Sequence, residues 1–376
     1  MSTSTKPKLV VVVGATGNQG GSVIRRFLRE GPGHFRVRGL TRDPYSTASQ
    51  QLAALGAEMV RADLNDVEAL KTAFMGANVI FSVTNYWEPF QPCNIEASRA
   101  NAAALGMNTV REYAGHIELA QGRNIADAAA ATVETLDGNG FIVSTLSHAG
   151  RCSEGRFKQL YHFDAKAEVF PYYVRETYPV LAARMRCVQT GYFMTSHQIL
   201  PDSYFAKLED GSFEMRFCTD PDKPVPQLDP VTDMGNFVYA VYQTSTCGEE
   251  YMAEGTTCTW PEWIATWSKA TGKEARYRQV PREDMIRVCS GDDFGGEIAD
   301  MFDYSSNPGY DGGKTLLRAD DLRKVSNVAT FLTSCSDVLN YRKAGAECPM
   351  TSLSEWIEKQ DWSSVIAKPE TKVEAL

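Results

Sequence analysis

Leu9-Val10-Val11-Val12-Val13-Gly14-Ala15-Thr16-Gly17-Asn18-Gln19-Gly20 is an unbroken apolar, β-branched run that gives way to glycines at every third position. A run of this length bounded by glycine reads as a strand buried on both faces, followed by a tight turn and then a helix over roughly Gln19 to Arg29. Each glycine has a separate task. Gly14 lets the chain turn off the strand, Gly17 leaves room for a pyrophosphate to approach the backbone, and Gly20 lets the helix pack closely on the sheet. The turn, with Thr16, Asn18 and Gln19 in it, then presents free N–H groups and the positive end of a helix dipole to phosphates. The reading is a dinucleotide site.

The next strand selects the dinucleotide. After Gly31-Pro32-Gly33, residues Phe35 to Leu40 form a strand ending in Thr41-Arg42, about 20 residues beyond the glycines. An acidic residue there would hold the two ribose hydroxyls of NAD. A cation stands there instead, and Arg42 can pair with a 2'-phosphate and stack on adenine, which selects NADP(H). A third strand, Ala57 to Val60, leads to Asp63, placed either beside the adenine ring or as cap of a helix starting near Asn65.

Composition narrows the class. A net charge of −9 disfavours direct binding to nucleic acid, which needs a concentrated basic face. Arg25-Arg26 reads as the solvated side of the first helix. Nine cysteines without a C-x-x-C pair fit reduced thiols, hence a cytoplasmic protein with the nucleus also open to it. No apolar run approaches a membrane span, and Met1 to Lys8 is too short and polar for a signal peptide. The histidines at 34, 116, 148, 162 and 197 have no zinc spacing, and neither a nucleoside-triphosphate loop nor a G-x-S-x-G turn is present.

Strand and helix alternate as far as residue 190, with further strands at Asn78 to Val83, Phe141 to Ser144 and Ala183 to Val188. This pattern implies an α/β fold, a Rossmann-like doubly wound parallel sheet with right-handed crossovers. Residues 1–190 form the dinucleotide-binding domain in this reading. The crossover from Trp87 to Asn139 is long: Ile117 to Leu136 reads as one helix, and about 94–115 as an insertion with its own helix, suited to a substrate lid. Residues 191–376, with the proline-rich stretch Asp220 to Pro226 and a Trp-bearing helix at Pro261 to Ala270, read as a smaller α+β lobe over the carboxyl ends of the strands.

Three stretches carry a family resemblance: Gly14 to Gly21, Val83-Thr84-Asn85-Tyr86-Trp87-Glu88, and His162-Phe163-Asp164-Ala165-Lys166-Ala167-Glu168-Val169. Together they resemble the NmrA-like family of atypical short-chain dehydrogenases, and the G-x-x-G-x-x-G spacing is similar to the pattern of that class. Asp210 to Glu214, Pro224 to Asp229 and Thr232 to Gly235 are similar to the family's fungal nitrogen-metabolite repression branch. The resemblance runs from about Lys8 to Trp356 and is weakest across 94–115. It implies NADP(H) as cofactor and divides on activity. Some members reduce aromatic or enone metabolites with NADPH; others are redox sensors that act on a protein partner.

The resemblance also locates the chemistry. Short-chain dehydrogenases use Tyr-x-x-x-Lys on one helix face. Here Lys166 matches the lysine, expected on the ribose near the nicotinamide and able to donate the proton itself. His162 stands where the tyrosine should be. An imidazole can also move a proton, and it can equally be a packed neutral residue at a helix start. Tyr161, one residue earlier, points about 100° away. Thr84 and Asn85 should line the nicotinamide half. Ser144 or Ser147 falls near the position of the superfamily's substrate-orienting serine, where an exposed loop serine is the plainer alternative. The aromatics Phe170, Tyr172, Tyr173, Tyr192 and Phe193 suit either a substrate cleft or a joint between lobes, and Cys187 reads as core.

Overall fold

The computed structural model describes residues 6–244, 250–289, 293–324 and 345–371. Its centre is a parallel sheet of seven strands. Six are β1 (Lys8–Val12), β2 (Phe35–Thr41), β3 (Glu58–Arg61), β4 (Val79–Ser82), β5 (Phe141–Thr145) and β6 (Met185–Thr190). The seventh, Glu250–Ala253, comes from the second half of the chain and lies outside β6. In space β3, β2, β1, β4, β5 and β6 follow one another. Because β1 pairs with both β2 and β4, the winding direction reverses beside β1, and the carboxyl ends of β1 and β4 flank the crevice where such sheets bind ligands.

The helices introduced by the first half are α1 (Asn18–Arg29), α2 (Thr47–Ala54), α3 (Val67–Phe74), α4 (Ile95–Ala104), α5 (Val110–Ala131), α6 (Ala149–Cys152) and α7 (Tyr161–Ala167). They explain why β1 is apolar without alternation. Val10 and Val12 face a core with Val23, Ile24 and Phe27 of α1 and Phe237 and Val238 of the Met234–Thr244 helix. Leu9, Val11 and Val13 face the opposite core with Phe74 of α3 and Ile125, Ala126 and Ala129 of α5. Gly235 allows the Met234–Thr244 helix to touch α1: a Cβ there would sit 2.3 Å from the Ser22 carbonyl oxygen, and the Gly235 N–H donates to Ser22 Oγ at 2.9 Å.

The remainder builds two small three-stranded sheets and a helical layer, an α+β arrangement. Trp260, Trp263 and Trp267, at helical spacing on the Trp260–Thr271 helix, are buried with Tyr204, Phe213, Phe217 and Phe302. Among the described residues no helix is long and apolar enough to cross a membrane.

Several boundaries differ from the sequence reading. The long crossover helix starts at Val110 rather than Ile117, because Thr109 caps it through the Glu112 N–H. The insertion's own helix is confined to Ile95–Ala104 and ends at Gly106, whose φ of +72° breaks it. Asp63 does not cap the next helix. That role belongs to Asp66, which accepts from the Glu68 and Ala69 N–H groups, while Asp63 closes a local turn on the Asn65 N–H at 2.9 Å.

Candidate active site

The glycine turn has the shape of a cradle. Gly14 has a φ of +66°, and a Cβ on it would strike Val83 at 2.8 Å; one on Gly20 would lie 2.2 Å from the Gly14 carbonyl oxygen. The first turn of α1 therefore sits directly on the loop, with Thr16, Gly17 and Asn18 exposed. No side chain caps α1, whose N-cap is Gly17, so its first N–H groups are left for a ligand. Gln19 adds a buried Oε1 without a partner.

At the end of β2, Arg42 extends into solvent, its side chain 67% exposed, and pairs with Glu88 from the loop after β4. This bond holds the guanidinium charged more firmly than usual, and Asp63 contributes from a greater distance. Since β1 lies between β2 and β4, the Arg42–Glu88 pair bridges across the strand that carries the glycine turn. The pairing of Glu88 crosses 46 residues and has no local signal in the sequence.

At the other end of the crevice, Lys166 on α7 directs its ammonium to Glu118 Oε1 of α5 at 2.5 Å, and Thr84 Oγ1 donates to the same oxygen at 2.7 Å. The Lys166 side chain is 12% exposed and that of Glu118 only 1%. Thr84 and Lys166 are thus brought together, as the sequence reading requires. Asn85 is exposed beside them, with its Oδ1 accepting the Trp87 N–H. Glu118 was not anticipated. A signal was present: Gly115, Glu118 and Gly122 share one face of α5, and a Cβ on Gly115 or Gly122 would meet Tyr161 at 2.9 Å or Val169 at 3.0 Å. The two glycines let α7 and the residues after it approach until the carboxylate reaches Lys166.

His162 is engaged elsewhere. Its Nδ1 is 2.6 Å from Glu297 Oε1, and its backbone N–H donates to the same oxygen at 2.8 Å. Glu297 also pairs with Arg111 at 3.1 Å, and Arg111 binds Asp300 at 2.5 Å. Burial opposes the Arg111 charge, yet Glu297 and Asp300 more than compensate and keep it charged. This buried network fastens α5 and α7 to the Phe294–Tyr304 helix. Arg111 belongs to the first turn of α5 and not to the insertion.

Three of the aromatics that suit either a cleft or a joint between lobes are engaged inside the fold. Phe170 packs on Phe141 inside the sheet core, Tyr192 is buried among Trp260, Phe302 and Tyr310, and Tyr173 bonds to Asp127. The partly exposed aromatics near the site are Trp87, Phe90 and Phe294, with the Trp87 ring 4.9 Å from His162 and 5.5 Å from Phe294. Ser144 lies within β5, and Ser147 is buried, 2.9 Å from the Tyr304 hydroxyl, rather than exposed in a loop. Cys187 is core, as read, and burial pushes its thiol up to about 12.

These features fit a dinucleotide: a cradle that any Cβ would fill, an uncapped helix start, an unpartnered Gln19 oxygen, and a cation where a 2'-phosphate would lie. Together with a half-buried lysine at the far end, they define the class of atypical short-chain dehydrogenases. The chain belongs to the NmrA-like family, whose model matches residues 6–332. It is 26% identical to the NmrA-like family domain-containing oxidoreductase ptmS of Penicillium ochrochloron, over 94% of this chain and 98% of that one. To notA of an Aspergillus species, of the same description, it is 27% identical over 94% and 96%. In structure it is similar to the negative transcriptional regulator NmrA in complex with NADP, with a TM-score of 0.64 and 20% identity over 94% of this chain and 95% of the other. An NADPH-dependent quinone oxidoreductase from Escherichia coli gives 0.57 at 18% identity, over 93% and 98%.

Proposed function

We propose that this protein binds NADP(H) across the glycine turn and is an NADPH-dependent reductase of a small aromatic or conjugated carbonyl metabolite. The observation that carries this reading is Lys166: a half-buried ammonium held at 2.5 Å by a carboxylate, beside the loop after β4. A solvated structural lysine has no need of such a partner. The backbone of Thr16, Gly17, Asn18, Gln19 and Gly20 holds the pyrophosphate, Arg42 the 2'-phosphate, and Asp63 lies at the adenine side. Thr84, Asn85 and Lys166 hold the nicotinamide half.

When bound, NADPH supplies a hydride to the electrophilic carbon of the substrate. Lys166 gives a proton to the oxygen that gains the electron pair and takes one back from solvent. Trp87, Phe90 and Phe294 provide an apolar wall for an aromatic ring. His162, tied by Glu297, orients α7. The relatives named as oxidoreductases support the class of reaction. The unpaired state of all seven described cysteines supports a reducing, cytoplasmic or nuclear setting.

A second reading rests on the same His162–Glu297 bond. His162 stands at the position of the usual proton donor, and the bond links α7 to the second half of the chain. In that reading the protein is a redox sensor whose shape follows the NADP(+)/NADPH ratio and governs a protein partner such as a transcription factor. Consumption of NADPH with quinones, aromatic enones and aromatic aldehydes separates the two. The reductase reading expects turnover with at least one class and a loss of at least a hundredfold in Lys166→Met. Binding of NADPH without consumption across the panel would establish the sensor reading instead.

A further inference from the structure

Glu118 is the buried group that the reductase scheme leaves without a task. Its Oε1 accepts from both Lys166 Nζ and Thr84 Oγ1, so one atom joins α7 to the loop after β4. Its Oε2 is buried and has no partner among the described residues. A carboxylate placed only for packing would be costly in this position, because burial penalises the charge and half of its acceptor capacity is unmet. A lysine, by contrast, has a long and mobile stem, and among the described residues its only other polar contact is the His162 carbonyl at 3.5 Å. The paired glycines of α5, Gly115 and Gly122, bring the partner close enough for direct contact.

The charge balance has a consequence for the cofactor. The nicotinamide ring is cationic when oxidised and neutral when reduced. A lone ammonium beside it would repel the oxidised form; a lone carboxylate would attract it. The Lys166–Glu118 pair is neutral as a unit and, in a poorly solvated site, acts at a low effective dielectric constant. We propose that Glu118 is the positioning residue for Lys166 and that it sets the preference of the site between oxidised and reduced cofactor. This inference rests on the reading of Lys166 at the nicotinamide half. The unmet Oε2 is an acceptor suited to a ligand hydroxyl, such as those of the adjoining ribose.

The test is a charge cycle read by equilibrium binding of NADP(+) and NADPH, without turnover. Glu118→Gln leaves an unbalanced cation and should raise the ratio Kd(NADP+)/Kd(NADPH) at least fivefold. Lys166→Met leaves an unbalanced anion and should lower it at least fivefold. The double variant restores neutrality and should return the ratio to within twofold of the parent, although both affinities fall. The double variant also carries no unpaired buried charge, so the cycle stays informative through its comparison with Lys166→Met if Glu118→Gln does not fold. A ratio that stays constant, or moves in one direction in both single variants, would overturn the proposal while leaving NADP(H) binding intact. Failure of the parent to bind either form would overturn the dinucleotide reading itself.

Discussion

The two ends of the crevice are built in opposite ways. At one end the features lie in one stretch, Val13 to Gly20, with Arg42 added at the tip of the neighbouring strand. At the other end they are gathered from Thr84, Glu118, Lys166 and, behind them, Glu297, on four separate elements. A local site depends on backbone shape and tolerates little added volume. An assembled site depends on buried charges that balance only when all of them are present.

The largest effect should come from breaking the assembled end. Glu297→Ala leaves Arg111 and the His162 N–H facing a void, and truncating one member of a buried ion pair costs about 3–5 kcal/mol. Chemical denaturation should show this loss, and Glu297→Gln, which keeps an acceptor for the N–H, should lose less. At the local end, Gly20→Ala places a methyl group 2.2 Å from the Gly14 carbonyl oxygen. Overpacking of this kind costs about 1–3 kcal/mol, and calorimetry should find dinucleotide binding abolished while the variant remains folded.

What was legible in the sequence follows the same division. The sheet, the glycine turn and Arg42 could be read because strand periodicity, turn chemistry and the charge at the end of β2 are local. Lys166 and Thr84 were found through family resemblance. Glu88, Glu297 and Arg111 were missed because their partners stand 46 to 189 residues away, and Glu118, whose partners stand 34 and 48 residues away, was marked only by the glycines on its face of α5. His162 shows the limit most plainly: the sequence offered proton transfer or packing, and its partner Glu297 lies 135 residues later.

Arg42→Ala sharpens the comparison from the adenine side. Loss of a charge-assisted contact to the 2'-phosphate should weaken NADPH about 10- to 100-fold and leave NADH nearly unchanged. Equal loss for both would place the 2'-phosphate elsewhere. The smallest effect expected concerns neither end. Burial pushes the Asp233 carboxyl up to about 6, against the N–H and hydroxyl that Thr351 donates to it. A carboxyl raised in the fold favours its protonated form, so its contribution is complete below about pH 4 and is lost as the pH rises through 6. Asp233→Asn should therefore gain on the parent as the pH is raised from 4 to 7.5, as thermal melts at the two pH values would show.

Both ends are proposed to serve one cofactor, used in its reduced form. Calorimetric titration of the protein with NADP(+) and with NADPH under identical conditions tests this most directly. NADPH should bind at least as tightly as NADP(+). Tight binding of NADP(+) with NADPH hardly bound would contradict the reductase and turn the search to protein partners.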